Sequence, residues 1–495
     1  MKVALINANI LDINNVFPPM GILHIGAVLE KAGHQVRLYD FDPNVDQLAS
    51  KYLAEIRQFQ PDLVGIGFLT VAHPRASSLV KMLRREVPRA KICCGGIHTT
   101  VEPVNVLNEF GVDFCVVGEG EATMAEACER LASGRGLDRV QGLVFRDANR
   151  AVVDNGRRDL IPDLDSLPLP ARHLIDFETL YVTFPGVIRG KAIRSTSIIT
   201  SRGCPYRCIF CGTHNISHWT VRRRSVESVL AEISELVRTY KIEGVFFSDD
   251  TFTLNHEWVL RLCRGMLERN IRLTWASSAR VDTITEELVL AMKEAGCMQL
   301  DFGIESGSEK ILKVLRKSFT PDKIRNAVRI AKKFGIRVSA SFMIGNPEET
   351  DDDIEQTRSM AKELAIDYAT FFYTTPFPGT ELYTMAKENG WIPPGLTYSD
   401  MWTFRQSKYP IMTAKLTKEA LSAWHGRLQN DFFMSNYFHL RNVQVILALL
   451  GMAVKRPSMA LGAAKRVLQT RRLDSLAEEL FKGYRLERIL GKKTA

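Results

Sequence analysis

Gly203-Cys204-Pro205-Tyr206-Arg207-Cys208-Ile209-Phe210-Cys211 sets three thiols at CxxxCxxC spacing, with no fourth cysteine nearby. A loop this short can wrap all three around one metal centre. It follows a short strand-like stretch at residues 197–202, the first of six. The others fall at 245–250, 273–278, 299–306, 338–345 and 369–376, with helical periodicity between them, for example at 226–240, 257–269 and 285–295. Strands alternating with helices predict a parallel sheet. Six units are too few for a closed eight-stranded barrel, so the pattern predicts an open, partial (β/α)6 barrel. The cysteine loop then lies at the carboxyl end of a barrel strand, where folds of this type build active sites.

Two metal centres suit the thiols. One is a structural zinc ion, with His214 or His218 as its fourth ligand. The other is a [4Fe–4S] cluster whose fourth iron stays open to a ligand. A closed structural site can lie anywhere, so the position at a strand's carboxyl end favours the cluster. Strand alternation says what else faces that centre. Leu300, Phe302 and Ile304 share one face, and Asp301, Gly303 and Glu305 the other. Thr274, Ala276, Ser278 and Arg280 form a polar face, as do Ser339, Ser341 and Gly345. Helices cover the apolar outer faces, so the polar faces should converge inward on a hydrated cavity.

With these pieces in this order, the segment from about 193 to 385 resembles the radical S-adenosylmethionine superfamily. The resemblance implies that Cys204, Cys208 and Cys211 hold the [4Fe–4S] cluster and that the open iron binds S-adenosylmethionine, which is cleaved to methionine and a 5′-deoxyadenosyl radical. Gly303-Ile304-Glu305-Ser306-Gly307 resembles the fourth-strand motif, implying Glu305 as a contact to the ribose or methionyl end. Ser248-Asp249-Asp250 stands where Gly-Gly-Glu is usual, which makes Asp249 and Asp250 candidates; by parity with Ser248, Asp250 is the one expected inward. Arg280 resembles a carboxylate-contacting arginine. Gly345-Asn346-Pro347-Glu348-Glu349-Thr350 resembles the fifth-strand motif beside the adenine, and Pro376-Phe377-Pro378-Gly379-Thr380 a sixth-strand loop. Phe210 and Ser341 complete the implied S-adenosylmethionine set. No catalytic acid or base is nominated.

Upstream, strands at 3–8, 36–40, 63–68, 91–95 and 114–118 alternate with helical segments at 22–32, 46–59, 75–86, 104–110 and 122–131. This predicts a doubly wound, Rossmann-like α/β domain, whose ligands bind beyond the strands' carboxyl ends. An extended pair at 140–146 and 151–154 follows. Pro162, Pro168, Pro170 and Pro185 mark a linker. The expected division is 1–158, the linker 159–192, the barrel 193–390 and a helical carboxyl-terminal region 391–495. Glycine-bearing loops follow the first set of strands: Pro18-Pro19-Met20-Gly21, Gly95-Gly96-Ile97-His98-Thr99-Thr100 and Gly118-Glu119-Gly120-Glu121. No GxGxxG follows the first strand, so a dinucleotide fingerprint is absent.

Placed before a radical S-adenosylmethionine barrel, these loops resemble the cobalamin-binding domain of the cobalamin-dependent class. The resemblance implies Pro19, Gly21, Thr70, Gly95, Gly96, Ile97, His98, Thr99, Gly118 and Glu119 as the cobalamin set. The DxHxxG motif that supplies a histidine to cobalt is missing, so His98 is expected as a loop residue near the corrin and not as an axial ligand.

Hydrophobic residues at 45% and charged residues at 24% exclude a disordered chain, a collagen-like fibre and a coiled coil. Of the net charge of +9, +7 lies in residues 455–495, behind an apolar run at 443–454 that is too short to span a membrane. The tail reads either as a solvated basic face on a helical cap or as peripheral attachment to an anionic membrane surface. Charge confined to the tail, with no interleaved stacking aromatics, argues against nucleic acid. With no secretory signal at the start, the expected address is the cytoplasm, peripheral on the inner membrane face if the tail attaches there. The leading functional reading is methylation of an unactivated carbon of a lipid, isoprenoid, tetrapyrrole or other natural product, with one S-adenosylmethionine methylating the cobalamin and a second generating the radical. An electron donor such as flavodoxin or ferredoxin is the expected partner. The alternative outcomes are cyclisation, ring contraction or carbon–carbon coupling, with cobalamin in another role or absent. A third reading is non-enzymatic, a cobalamin- or zinc-binding regulatory module.

Overall fold

Val3 and Leu5 enter one apolar cluster, while Ala4 and Ile6 enter another. A strand buried on both faces needs helices on both sides, and this is what the computed structural model shows. It describes residues 1–8, 17–41, 46–182, 187–191, 193–401 and 415–437, with single positions at 447, 451, 454 and 461. The apolar run and basic tail beyond 437 therefore lie outside the described residues apart from those positions.

The first sheet runs in the order β2 (Gln35–Phe41), β1 (Lys2–Ala8), β3 (Leu63–Phe68), β4 (Lys91–Gly95), β5 (Phe114–Val116), β6 (Leu143–Arg146), β7 (Val152–Asp154). β1 to β5 are parallel, and β6 and β7 add an antiparallel edge. Helices Met20–Lys31 and Gly120–Ala132 cover one face, and Asp46–Phe59, His73–Glu86 and Pro103–Phe110 the other. The order reverses at β1, whose neighbours are β2 and β3. The crevice of such a sheet opens at the carboxyl ends of the strands at that switch point.

The second sheet is parallel, in the order β15 (Tyr368–Tyr373), β14 (Arg337–Ile344), β13 (Cys297–Glu305), β12 (Thr274–Ala279), β11 (Gly244–Phe247), β8 (Ser195–Ile198). β8 and β15 do not pair, so the barrel is open. Leu300, Phe302 and Ile304 are buried in its outer core, while Asp301, Gly303, Ser278, Ser341 and Thr370 stay partly exposed on the inner face. Linker residues Val187 and Ile188, with Ile193 just beyond the linker, pack against Phe246, Ala276 and Met298 on that inner face and fill part of it. Helix Lys418–Tyr437 covers the β15 edge, where the Asn436 amide donates to Ala369 O and accepts from Ala369 N, both at 2.9 Å.

One expected strand breaks in two. Residues 197–202 divide into the end of β8 and a separate β9 (Ser201–Arg202), paired antiparallel with β10 (Arg222–Arg223). The cause is the Asp249 carboxylate, which accepts from Thr200 N at 2.6 Å and from the Thr200 and Ser201 hydroxyls. These bonds pull the chain out of the sheet just before the cysteine loop. β5 also ends at Val116, two residues early, where the chain turns toward Gly118 at φ +81°.

Candidate active site between the two sheets

The carboxyl ends of the two sheets face one another across a cavity of about 700 Å³. Gly21, Gly67, Thr70, Gly95, Gly96, Ile97 and Gly118 line the first sheet's side, and Arg202, Gly203, Phe210, Thr213, Asp250 and Pro378 the second's. A deeper part is walled by Leu5, Gly65, Ile66, Cys93, Val116 and Met124. A Cβ added at Gly21 or Gly118 would meet no protein atom within 4 Å. A chamber with an apolar floor and glycine walls fits a large planar ligand approaching the backbone closely. The residues present thus fit a corrin.

Three members of the expected cobalamin set are turned elsewhere. Gly96 (φ +97°) ends the close approach to β3, where a Cβ would sit 2.7 Å from Phe68 O, and helix Ile97–Val101 starts directly after it. Each residue in a helix rotates about 100°. Ile97 therefore stays on the cavity while His98 and Thr99 turn into the fold, both fully buried. The His98 ring packs on Phe68, His73 and Tyr398, with Nδ1 3.2 Å from Thr70 Oγ1. Burial, with His73 adding to it, lowers its pKa to about 3, so it is neutral. The Thr99 hydroxyl is spent on Gly95 O at 3.2 Å. Pro19 is not on the lining either; its carbonyl accepts from Leu23 N at 3.1 Å in the first turn of helix Met20–Lys31. Glu119 does line the cavity, but both its oxygens are taken by Arg202 and Arg222. Sequence reading missed His24, Ile25, Arg202 and Arg222. His24 and Ile25 follow Gly21 by three and four residues, on the same helix face, a signal that was available. The two arginines carried none.

The cysteine loop is held at several points. Gly203 has φ +95°, and a Cβ there would lie 2.0 Å from Thr220 O. Its N–H donates to Asp250 Oδ2 at 3.0 Å. Ile209 sits in a small core with Ile311, Leu315, Leu382 and Ala386. The three thiols are free, partly exposed, and have separate neighbours. Cys204 Sγ is 3.8 Å from Thr251 Oγ1, Cys208 Sγ 3.9 Å from Arg316 O and Cys211 Sγ 3.4 Å from Thr213 Oγ1. Among the described residues no three His, Cys, Asp or Glu side chains converge on a single ion. His214 stacks on Trp219 with Nδ1 3.0 Å from Cys211 O, and His218 Nε2 faces Arg157 Nη1 at 3.3 Å. Neither histidine is placed to complete a zinc site. The donor set, three thiols spread around one loop, fits a polynuclear iron–sulfur cluster.

Of the expected S-adenosylmethionine residues, Phe210 and Asp250 line the cavity. Burial raises the Asp250 carboxyl above the usual aspartate range, against its bonds from Gly203 and Thr213. Asp249 does not face the cavity: it is buried in the turn described above, with Arg223 3.6 Å away. Ser341 lies on the inner barrel face beside Gly303. Arg280 is paired with Asp282 through two 3.0 Å bonds and lies on the ring of Tyr206, inside the cysteine loop. Glu305 sits at a register shift in β13 with φ +69° and accepts from Lys317 Nζ at 3.1 Å.

Gly345 (φ +82°) ends β14 against Leu421. The loop it opens is tied by buried Glu349, which accepts from Gly345 N at 2.6 Å, Asn346 N at 3.0 Å and Asn346 Nδ2 at 2.9 Å. Burial outweighs these donors and lifts the Glu349 pKa to about 7. The folded value lies above the unfolded one, so this carboxyl's contribution is fully present below about pH 4.3. It is lost as the pH rises through about 7. Denaturant unfolding at pH 5 and pH 8 is expected to differ by on the order of 1–3 kcal/mol from this group, and Glu349→Gln to flatten the difference.

Residues 198–361 match the radical SAM superfamily and residues 6–128 the B12 binding domain. An uncharacterized methyltransferase of Pyrococcus horikoshii is 34% identical over 84% of this chain and 88% of its own. The anaerobic magnesium-protoporphyrin IX monomethyl ester cyclase of Synechocystis is 29% identical over 75% of this chain and 73% of its own. The solved structure of the cobalamin-dependent S-adenosylmethionine radical enzyme OxsB, with aqua-cobalamin and S-adenosylmethionine bound, superimposes with a TM-score of 0.69 at 16% identity, covering all of this chain and 80% of that one. With a B12 binding domain ahead of a radical SAM domain, and with a relative this similar along nearly its whole length, the chain belongs to the cobalamin-dependent radical S-adenosylmethionine enzymes.

Proposed function

We propose that the protein is a C-methyltransferase acting on an unactivated carbon of a small natural-product or lipid-like substrate. The observation that carries this reading is the shared cavity: the glycine loops of the first sheet and the cysteine loop of the second line one chamber, with no wall between them. When bound, the cluster supplies the electron that cleaves S-adenosylmethionine and the cobalamin supplies a methyl group. The chain's own residues arrange the rest. Cys204, Cys208 and Cys211 would hold the cluster on the loop whose Gly203 and Phe210 line the chamber, with Asp250 lining it as well. Ser278, Asp301, Ser341 and Thr370 keep the inner face of the barrel polar. The plug at Val187, Ile188 and Ile193 closes part of that face against water.

The name of the Pyrococcus relative favours methyl transfer, and that of the Synechocystis relative keeps cyclisation as the second reading. Product analysis separates them. Turnover of the true substrate is expected to yield 5′-deoxyadenosine and S-adenosylhomocysteine in equal amounts; 5′-deoxyadenosine alone would move the assignment to cyclisation or coupling. A low-potential protein such as flavodoxin or ferredoxin belongs to the same proposal as electron donor. So does a cytoplasmic location, supported by nine cysteines that are all free thiols. No helix among the described residues is long and apolar enough to cross a membrane. Attachment of the basic tail to an anionic membrane surface rests on its charge alone.

A further inference from the structure

We infer that Glu119, Glu121, Arg202 and Arg222 form a positioning clasp through which occupancy of the cobalamin side of the cavity sets the geometry of the cysteine loop. The inference rests on the two-cofactor reading above. Glu119 and Glu121 stand in the loop and first helical turn that follow β5, next to Gly118, whose missing side chain leaves the cavity open. Arg202 is the residue before Gly203-Cys204, and β10 places Arg222 beside it. Arg202 Nη1 donates to Glu119 Oε1 at 2.9 Å, and Nη2 to Glu121 Oε1 at 2.6 Å. Arg222 Nη1 donates to Glu119 Oε2 at 2.7 Å and to the linker carbonyl of Ile161 at 2.8 Å. The linker closes the loop from its other side, with Ile161 N donating to Glu119 Oε2 at 2.9 Å.

Three features make this more than domain glue. All four residues line the cavity, so a ligand there meets the clasp itself. Three of the four side chains are nearly dry: Glu119, Glu121 and Arg222 are 6%, 4% and 7% exposed, and Arg202 is 20% exposed. Burial alone would weaken the charges, but the pairing prevails. Glu119 stays below the usual glutamate range. A buried pair cannot lose one partner without stranding the other charge away from water, so the four residues move as a unit. Finally, the chain beyond Arg202 has little slack. Only Gly203 separates Arg202 from Cys204, and with its N–H on Asp250 and no room for a side chain beside Thr220 O this segment cannot buckle to absorb a shift at Arg202.

The test is a linkage cycle on cluster-loaded full-length protein. S-adenosylmethionine affinity is measured with and without bound hydroxocobalamin, and the reduced cluster's electron paramagnetic resonance spectrum is recorded in both states. In the wild type the two affinities are expected to differ by about 5-fold or more, and reciprocity requires the same factor for cobalamin with and without S-adenosylmethionine. The double variant Glu121→Gln/Arg202→Gln removes both ion pairs of Arg202, neutralises Glu121 together with its partner, and leaves Glu119 with Arg222. Its ratio is expected to fall to about 1 and its spectrum to stop responding to cobalamin. Arg202→Lys, which keeps one charge but not the fork, should fall between, and serves if the double variant does not fold. Coupling that survives both variants, or a wild type that binds both ligands without coupling, overturns the clasp alone. A wild type that binds no cobalamin overturns the two-cofactor reading and the clasp with it.

Discussion

Replacing Cys204, Cys208 or Cys211 by Ala is expected to abolish formation of 5′-deoxyadenosine and to leave the reconstituted protein without its cluster absorbance or stoichiometric iron and sulfide. The effect should be complete, because each thiol has its own place around the loop and no fourth cysteine can substitute. The fold should survive. The loop is anchored by Ile209 in its small core and by Gly203 on Asp250, neither of which uses a thiol, so the thermal midpoint of the metal-free protein should match wild type. The same experiment separates iron–sulfur from zinc: His214→Ala and His218→Ala should keep full iron content. A histidine variant that loses the metal, or a cysteine variant that keeps four irons, would reverse the assignment.

Gly21→Leu should cost about 10- to 100-fold in cobalamin affinity, an overpacking penalty of about 1–3 kcal/mol, read by titration and by retention after desalting. What makes this substitution informative is the sign of its effect on the fold. Gly21 lies in the first turn of helix Met20–Lys31 without positive φ, and its Cβ would meet nothing within 4 Å. Replacing a helical glycine by Leu favours the helix by up to about 1 kcal/mol. Stability should therefore hold or rise while the cofactor is lost. Gly426→Ala, in helix Lys418–Tyr437 and also without neighbours within 4 Å, is the control: the helix gains similarly and cobalamin binding is unchanged. Gly21→Leu that retains cobalamin at wild-type affinity would place the corrin elsewhere.

Both predictions start from features visible in one dimension. The cysteine spacing, the two sets of βα units and the glycine loops after their strands are local patterns, and the structure places all of them at facing strand ends. Alternation also assigned the inner face of β13 correctly, because side chains on a strand can only point to one side or the other. Parity likewise put Asp250 on the cavity. It did not show that Asp249 would be consumed by Thr200 and Ser201, whose turn that carboxylate ties.

The failures share a physical cause. His98 and Thr99 looked like loop residues over a ligand, but a five-residue helix starts at Ile97 and rotates them inward, where the aromatic packing around Phe68, His73 and Tyr398 completes itself. Glu119 does line the cavity, but nothing in the sequence showed that its carboxylate would pair with residues 83 and 103 positions away. The sequence by itself determined the cluster loop, the two parallel sheets and the glycine-lined strand ends, since each depends on spacing within one element. Only the tertiary structure decided which charges meet across the cavity and which polar groups are left to face it, because pairing partners are chosen by how distant segments pack and no local period records that choice.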